Sequence, residues 1–371
     1  MKVFQSLILG PLYLKYFNKK NTRRMNTTYF DRKRDLLYDR HCSSHILQPI
    51  YEGDLDYFLS YSDDTIAQKL WAKEKGLNDA SLQKILLSQI EEFQPDIFYT
   101  NDPLRFPAKI TSRFPNSVKK KIAWRGTYID YLENDDYSTY DLFVSNFKDI
   151  NERTTKKYGI KTAWHSPSWD PEMKPYAENS GRSIDLNFSG GYMQKGETYV
   201  ERMMTLETLA RLSSTYSTEI CLNYRSISRY KNSGLLRWLP VPTKIPLSIK
   251  KNNSRPVYGR DMLTKFSKAK VVLNPAVNLL DGKVRGNMRC WEALGCGACM
   301  LASEGSYPEG FIDGENFLTF KDENDLERKI HYLLHNDEVR LTISKKGTEM
   351  ISSVWSKERQ LENFMKLIDK I

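Results

Sequence analysis

Over the first 165 residues, short apolar runs alternate with stretches whose apolar positions recur at helical spacing. Val3 to Leu9, Ile97 to Thr100, Ile122 to Trp124 and Leu142 to Ser145 are short and apolar enough for buried strands. Thr65 to Lys75 and Ser81 to Phe93 gather their apolar side chains on one helical side. Pro95 stops the second before the next strand, because proline lacks the N–H that a continuing helix needs. Strand and helix in alternation predict a parallel sheet covered by helices, a Rossmann-like domain over residues 1–165.

The grammar breaks at Ser166-Pro167-Ser168-Trp169-Asp170-Pro171, where proline excludes both helix and central strand, so residues 166–182 are expected to be a linker. It resumes over residues 183–355. Ile184 to Phe188 predicts a strand, Ser189-Gly190-Gly191 a turn, and Glu197 to Leu212 a helix. Further strands are expected at Thr218 to Tyr224, Lys270 to Leu273 and Cys299 to Ala302, and helices at Asp261 to Ser267, Asp325 to Leu334 and Glu338 to Ser352. Leu235 to Pro256, rich in proline and lysine, reads as an irregular insertion, and Lys357 to Ile371 as a final helix.

The densest chemistry lies between these last elements. Asn287 suits a helix N-cap and Gly295 or Gly297 a left-handed C-cap, so Met288 to Leu294 is expected to be a short helix. The first N–H groups of such a helix lack partners within it and attract anions, a diphosphate among them. Glu292 falls about one turn in, on a side able to hydrogen-bond paired ribose hydroxyls. The Ser189-Gly190-Gly191 turn permits close backbone approach to a ligand, with Lys195 just beyond it. Lys195 or Arg289 is a candidate to neutralise a departing diphosphate.

Glu292-Ala293-Leu294-Gly295-Cys296-Gly297-Ala298, then Ser303-Glu304-Gly305, then Asp313-Gly314-Glu315-Asn316 resemble the donor-binding half of GT-B glycosyltransferases. Val257-Tyr258-Gly259-Arg260-Asp261-Met262, Ala269 to Asn274 and Arg289 resemble its CgeB-like branch in particular. The likeness runs from about Ser183 to the C-terminus and is looser upstream, at Trp71-Ala72-Lys73-Glu74, Pro95 to Tyr99 and Tyr158-Gly159-Ile160. It implies an α/β chain of GT-B architecture, two Rossmann-like domains facing a central cleft. The first would be the acceptor side and the second would bind a nucleotide sugar, with residues 356–371 crossing back to the first. It further implies transfer of a sugar from a nucleoside diphosphate to a polysaccharide or glycolipid, in cell-surface or spore glycan synthesis, with no cofactor besides that donor substrate.

On this resemblance the donor site comprises Ser189, Gly190, Gly191, Lys195, Tyr224, Tyr258, Gly259, Arg285, Asn287, Met288, Arg289 and Glu292, with Tyr258 stacking on the base. One position departs. Retaining group-1 enzymes carry a glutamate eight residues before the one matching Glu292, and here that position is Val284, flanked by Lys283 and Arg285. The loop has exchanged an acid for bases, which favours a diphosphate but leaves the stereochemistry open. In the first domain, ligands of open parallel sheets collect at the carboxyl ends of strands. That nominates Asn101-Asp102, Arg125 with Asp130, and the Gly10-Pro11 loop. Asp102 or Asp130 is a candidate general base, against the plainer reading of a turn or cap former.

A net charge of +10 changes the picture only in its distribution: Lys15, Lys19, Lys20, Arg23, Arg24, Arg32, Lys33 and Arg34 face few acids. Such a run is either a solvated face or a site for an anionic membrane leaflet or phosphate-bearing acceptor. Nucleic acid is not expected, since no recognised module is present and aromatics do not interleave with the basic run. No stretch approaches the roughly 20 apolar residues of a membrane span. Val3 to Leu14 lacks a small-residue cleavage site and reads as a strand and glycine loop rather than a secretory signal. Five widely spaced cysteines suggest no disulfide framework and fit a reducing cytoplasm, where the basic run leaves open a peripheral place at the inner membrane face. Cys296 and Cys299 follow a helix rather than open one, which disfavours redox or zinc chemistry. Asp54-Leu55-Asp56 resembles the metal-binding motif of the other major glycosyltransferase fold, and two domains of Rossmann grammar argue against that role. No metal is therefore expected. A sugar-nucleotide epimerase and a catalytically inactive binding protein remain as alternative functions.

Overall fold

The computed structural model describes residues 1–22, 28–126, 136–192, 200–224, 245–275 and 283–371. The chain divides into two compact units, Met1–Ser168 with Trp355–Ile371, and Trp169–Val354.

The first unit is built on six parallel strands, β1 (Val3–Leu7), β2 (Tyr57–Tyr61), β3 (Ile97–Thr100), β4 (Lys120–Trp124), β5 (Leu142–Ser145) and β6 (Thr162–Trp164). Their order is β2-β1-β3-β4-β5-β6, so the strand order reverses at β1 and β3. Parallel neighbours cannot be joined by a tight hairpin and need crossovers. Here these contain α1 (Pro11–Lys20), α2 (Tyr29–Asp39), α3 (Gln48–Glu52), α4 (Thr65–Glu74), α5 (Leu82–Phe93), α6 (Ala108–Thr111) and α7 (Lys148–Tyr158). Phe4 lies between Phe58 and Phe98, with ring centroids 5.2 and 5.9 Å away, and its cluster takes in Leu86 and Ile90 of α5. The buried amides of Gln68 and Gln89 close a satisfied network: Ser60 Oγ donates to Gln89 Oε1 at 2.7 Å, Gln89 Nε2 to Gln68 Oε1 at 2.9 Å, and Gln68 Nε2 to Ser60 Oγ at 3.0 Å.

The second unit carries β7 (Ile184–Tyr192), β8 (Thr218–Tyr224), β9 (Asn253–Ser254), β10 (Ala269–Asn274), β11 (Cys299–Ser303) and β12 (Leu318–Phe320), all parallel, in the order β12-β11-β10-β7-β8-β9. That is a doubly wound order with its switch point between β7 and β10, where such sheets bind ligands. The accompanying helices are α8 (Lys174–Ala177), α9 (Val200–Leu212), α10 (Leu247–Lys251), α11 (Gly259–Lys268), α12 (Met288–Gly295), α13 (Glu323–His335) and α14 (Asp337–Val354). Two expectations need correction. Ser189-Gly190-Gly191 is strand, not turn, in register with Cys221, Leu222 and Asn223 of β8. Of the expected irregular insertion, the described part forms α10 and the edge strand β9.

The last helix, α15 (Lys357–Ile368), groups with the first unit. Its Lys357 is buried, and the ammonium donates to the carbonyls of Ser43 and Ile46 at 2.7 Å each and to Gln360 Oε1 at 3.3 Å. Phe364 packs on Tyr99 and His165.

Candidate functional site

In the second unit the candidate site starts at the first turn of α12. Asn287 caps it: its Oδ1 accepts the Arg289 N–H at 3.1 Å and its carbonyl that of Cys290 at 3.0 Å. The cap thus uses two of the four first-turn donors, and those of Asn287 and Met288 have no partner among the described residues, the arrangement in which a helix N-terminus attracts anions. Asn287 Nδ2 donates to Asn274 Oδ1 at 3.1 Å, tying the cap to the end of β10 at the switch point. The other end of α12 is a Schellman turn, in which Gly297 N–H donates to Leu294 O and Ala298 N–H to Ala293 O. Gly297 sits at φ +71°, and a Cβ there would lie 2.9 Å from the Ala177 carbonyl oxygen.

Arg289 draws the elements together. Its Nη2 donates to the Ser189 carbonyl of β7 at 2.8 Å and its Nη1 to Glu292 Oε2 at 3.0 Å. The guanidinium lies over the Phe266 ring of α11, 4.7 Å from its centroid. Glu292 is buried, which pushes its carboxyl above the ordinary range, and the Arg289 charge opposes that rise. Ser189, Arg289 and Glu292 therefore form one connected group. Gly190 is glycine for a packing reason: a Cβ would meet the Phe188 ring at 2.9 Å. Gly191 offers its carbonyl to Arg202 Nη1 at 3.1 Å.

Arg285, expected among the bases that favour a diphosphate, is anchored by its neighbours. Its Nε donates to the Glu304 carbonyl at 3.1 Å, and Nη2 lies 3.9 Å from Glu201. Val284, where the resemblance would want a glutamate, bridges Ser306 in parallel register. Gly305 permits that contact, since a Cβ would stand 2.3 Å from the Lys283 carbonyl oxygen. Tyr258 is half-buried at the N-cap of α11, and Gly259 at φ +52° opens that helix. Lys195 lies outside the described residues, as does the side chain of Tyr224, whose backbone ends β8 opposite Tyr192. Cys290, Cys296 and Cys299 are buried with their thiols pushed up by desolvation, so thiolate chemistry has no support there.

In the first unit, Asp102 follows β3 and accepts from Arg105 Nε at 2.9 Å. Arg125 follows β4, where Asp102 offsets part of the burial that disfavours its charge, and its Nε makes no hydrogen bond among the described residues. Asn101 Oδ1 accepts the Ile8 N–H at 2.9 Å, joining the ends of β1 and β3. Asp130 lies outside the described residues. Sequence reasoning missed Asp63, whose carboxylate accepts the Leu9 and Gly10 N–H groups at 2.9 and 2.7 Å while burial pushes its carboxyl up. The pair Asp63-Asp64 before an apolar helix was the available signal. His165 is buried and held neutral, its pKa lowered to about 4 by desolvation and Lys357.

Two members of the early basic run are engaged within the unit, Arg32 buried and Lys33 half-buried. Arg32 makes a buried ion pair with Asp64 at 2.5 Å, and Lys33 lies over the Phe58 ring at 4.4 Å, its pKa lowered to about 8 by burial. Arg23 and Arg24 fall outside the described residues.

The sequence profile of the glycosyl transferase-like family matches residues 202–366. No curated protein sequence matches the chain. Among solved structures, Anabaena HepE in complex with UDP and glucose is similar at a TM-score of 0.59 and 10% identity, over 100% of both chains. A glycosyltransferase from Rickettsia africae is similar at 0.54 and 10%, over 100% of this chain and 98% of that one. A mutant of Staphylococcus aureus TarM, solved with UDP, fondaparinux and α-GlcNAc-glycerol, is similar at 0.52 and 11%, over 78% of this chain and 59% of its own. The α/β fold, with two parallel six-stranded sheets, is that of GT-B glycosyltransferases.

Proposed function

We propose that the chain is a sugar-nucleotide glycosyltransferase, transferring a sugar from a nucleoside diphosphate to a glycan or glycolipid acceptor without a metal ion. The observation that carries the reading is the convergence on one switch point of a capped helix N-terminus and the connected Ser189–Arg289–Glu292 group. The profile match over residues 202–366 and the UDP held by HepE and TarM in the same fold support it.

In this reading the diphosphate takes the Asn287 and Met288 N–H groups, where the helix dipole adds to the attraction. Glu292 receives the ribose hydroxyls, and Arg289 keeps its carboxylate charged and oriented. As the bond from the sugar to the β-phosphate oxygen breaks, negative charge grows on that oxygen, and fixed N–H donors and nearby cations stabilise it without reorganising. Lys195 is a further candidate for that cation. Val284 removes the group-1 glutamate, so the route by which the acceptor attacks is not carried over. Asp102 is proposed as the base that takes the acceptor hydroxyl's proton, and Arg125 as a positive group beside it. The likeness of Val257 to Met262 and Ala269 to Asn274 to the CgeB-like branch favours a cell-surface or spore glycan made on the cytoplasmic side.

Calorimetric titration with UDP in the presence of EDTA, paired with a transfer assay, tests the reading. Binding and turnover are expected to survive chelation. Turnover lost in EDTA and restored by Mg²⁺ or Mn²⁺ contradicts the metal-free account, and no nucleotide binding in either condition contradicts the site.

A further inference from the structure

The first unit carries an outer face that the proposed chemistry leaves unused. Helices α1 and α2 are linked through side chains: Tyr13 donates its hydroxyl to Asp39 at 2.9 Å, and Arg32 Nη2 donates to Asn18 Oδ1 at 2.9 Å. Inward, α1 buries Tyr13 and Phe17, and α2 buries Tyr29, Arg32, Leu36 and Asp39. Outward, α2 presents Phe30, Arg34 and Tyr38, spaced four apart and so aligned along one side of the helix. Phe30 and Tyr38 are each 68% exposed. The Arg34 guanidinium lies over the Phe30 ring at 5.9 Å and is paired with Asp31 at 2.9 Å. The outer side of α1 carries the exposed Lys15, Lys19 and Lys20, and residues 11–22 contain no acid.

We propose that this face docks the protein on an anionic lipid bilayer, Phe30 and Tyr38 entering the headgroup layer while the α1 lysines hold the anionic headgroups. Eight residues of helix set the two rings about 12 Å apart on one side, so both reach a planar interface together. Aromatic rings and basic side chains on an interfacial helix pair are the combination that a headgroup layer accommodates. The charge belongs mainly to α1: Arg32 is buried in its ion pair, Lys33 is half-buried over the Phe58 ring, and Arg34 is offset by its aspartate.

Co-sedimentation of the full chain with vesicles tests it, using phosphatidylcholine alone and phosphatidylcholine with phosphatidylserine over a salt series. The wild type is expected to follow the anionic vesicles only. Phe30→Ser with Tyr38→Ser should lose binding at every salt concentration. Lys15→Gln, Lys19→Gln and Lys20→Gln together should lose about tenfold or more at low salt, the difference fading as screening shortens the range. All substitutions are at exposed positions, and unchanged melting temperatures check that the fold is intact. Wild type that ignores anionic vesicles, or three proteins that sediment alike, overturns the proposal. So does equally tight binding to single-stranded DNA that only the lysine variant loses, because the face would then be a polyanion site.

Discussion

Glu292 carries two opposed influences. Burial raises its carboxyl above the ordinary range, while Arg289 at 3.0 Å favours the charged form. If the carboxylate accepts ribose hydroxyls, Glu292→Ala or Glu292→Gln should weaken nucleoside diphosphate binding by about 1–3 kcal/mol, measured by calorimetry. Unchanged affinity in a folded variant removes Glu292 from the site. The sign with pH follows: the charged form is the binding form, so affinity should be full at neutral pH. It should fall as pH drops through the raised pKa, at a higher pH than for an ordinary carboxylate, and the Gln variant should lack that step. Glu292 and Arg289 were legible individually from the Glu-Ala-Leu-Gly pattern and the basic residue ahead of it. Their link to the Ser189 carbonyl was not, since one hundred residues of chain separate the partners and only the folded sheet brings them together.

The helix α12 depends on its two ends. Its C-terminal turn needs positive φ at Gly297, where an added Cβ would also press on Ala177. Gly297→Ala is expected to cost about 2 kcal/mol or more from the left-handed backbone and the contact together, read as a lower denaturation midpoint. A midpoint equal to wild type would show that the turn relaxes freely. This helix was readable because capping is local chemistry: Asn287 before it and glycine after it announce both ends. The Ser189-Gly190-Gly191 segment misled for the converse reason. Paired glycines usually mark a turn, but here Gly190 makes room for the Phe188 ring within a nine-residue strand, a packing demand that sequence spacing does not display. The strands β2 and β6 escaped notice because one follows the polar Asp54-Leu55-Asp56 run and the other is three residues long.

At the scale of the whole molecule, His45 and His165 make folding sensitive to mild acid. Desolvation and Lys357 lower their pKa values to about 3 and about 4, against about 6.5 in the unfolded chain. The unfolded chain therefore binds protons that the folded chain refuses, so stability is full above about pH 6.5 and declines below it. Each histidine should contribute a loss of about 1.5 kcal/mol between pH 6.5 and 5, where most carboxylates do not yet titrate. Melting temperatures across that range test this, and a flat profile would mean that water or movement solvates the two rings. No helix among the described residues is long and apolar enough to cross a membrane. The central claim, that this GT-B chain transfers a sugar from a nucleotide, is tested most directly by mass spectrometry after incubation with a panel of nucleoside-diphosphate sugars. The account predicts release of the nucleoside diphosphate from at least one donor, with the sugar transferred to an acceptor or to water. An isomerised sugar nucleotide with its diphosphate intact, or a panel left unchanged by folded protein, would contradict it.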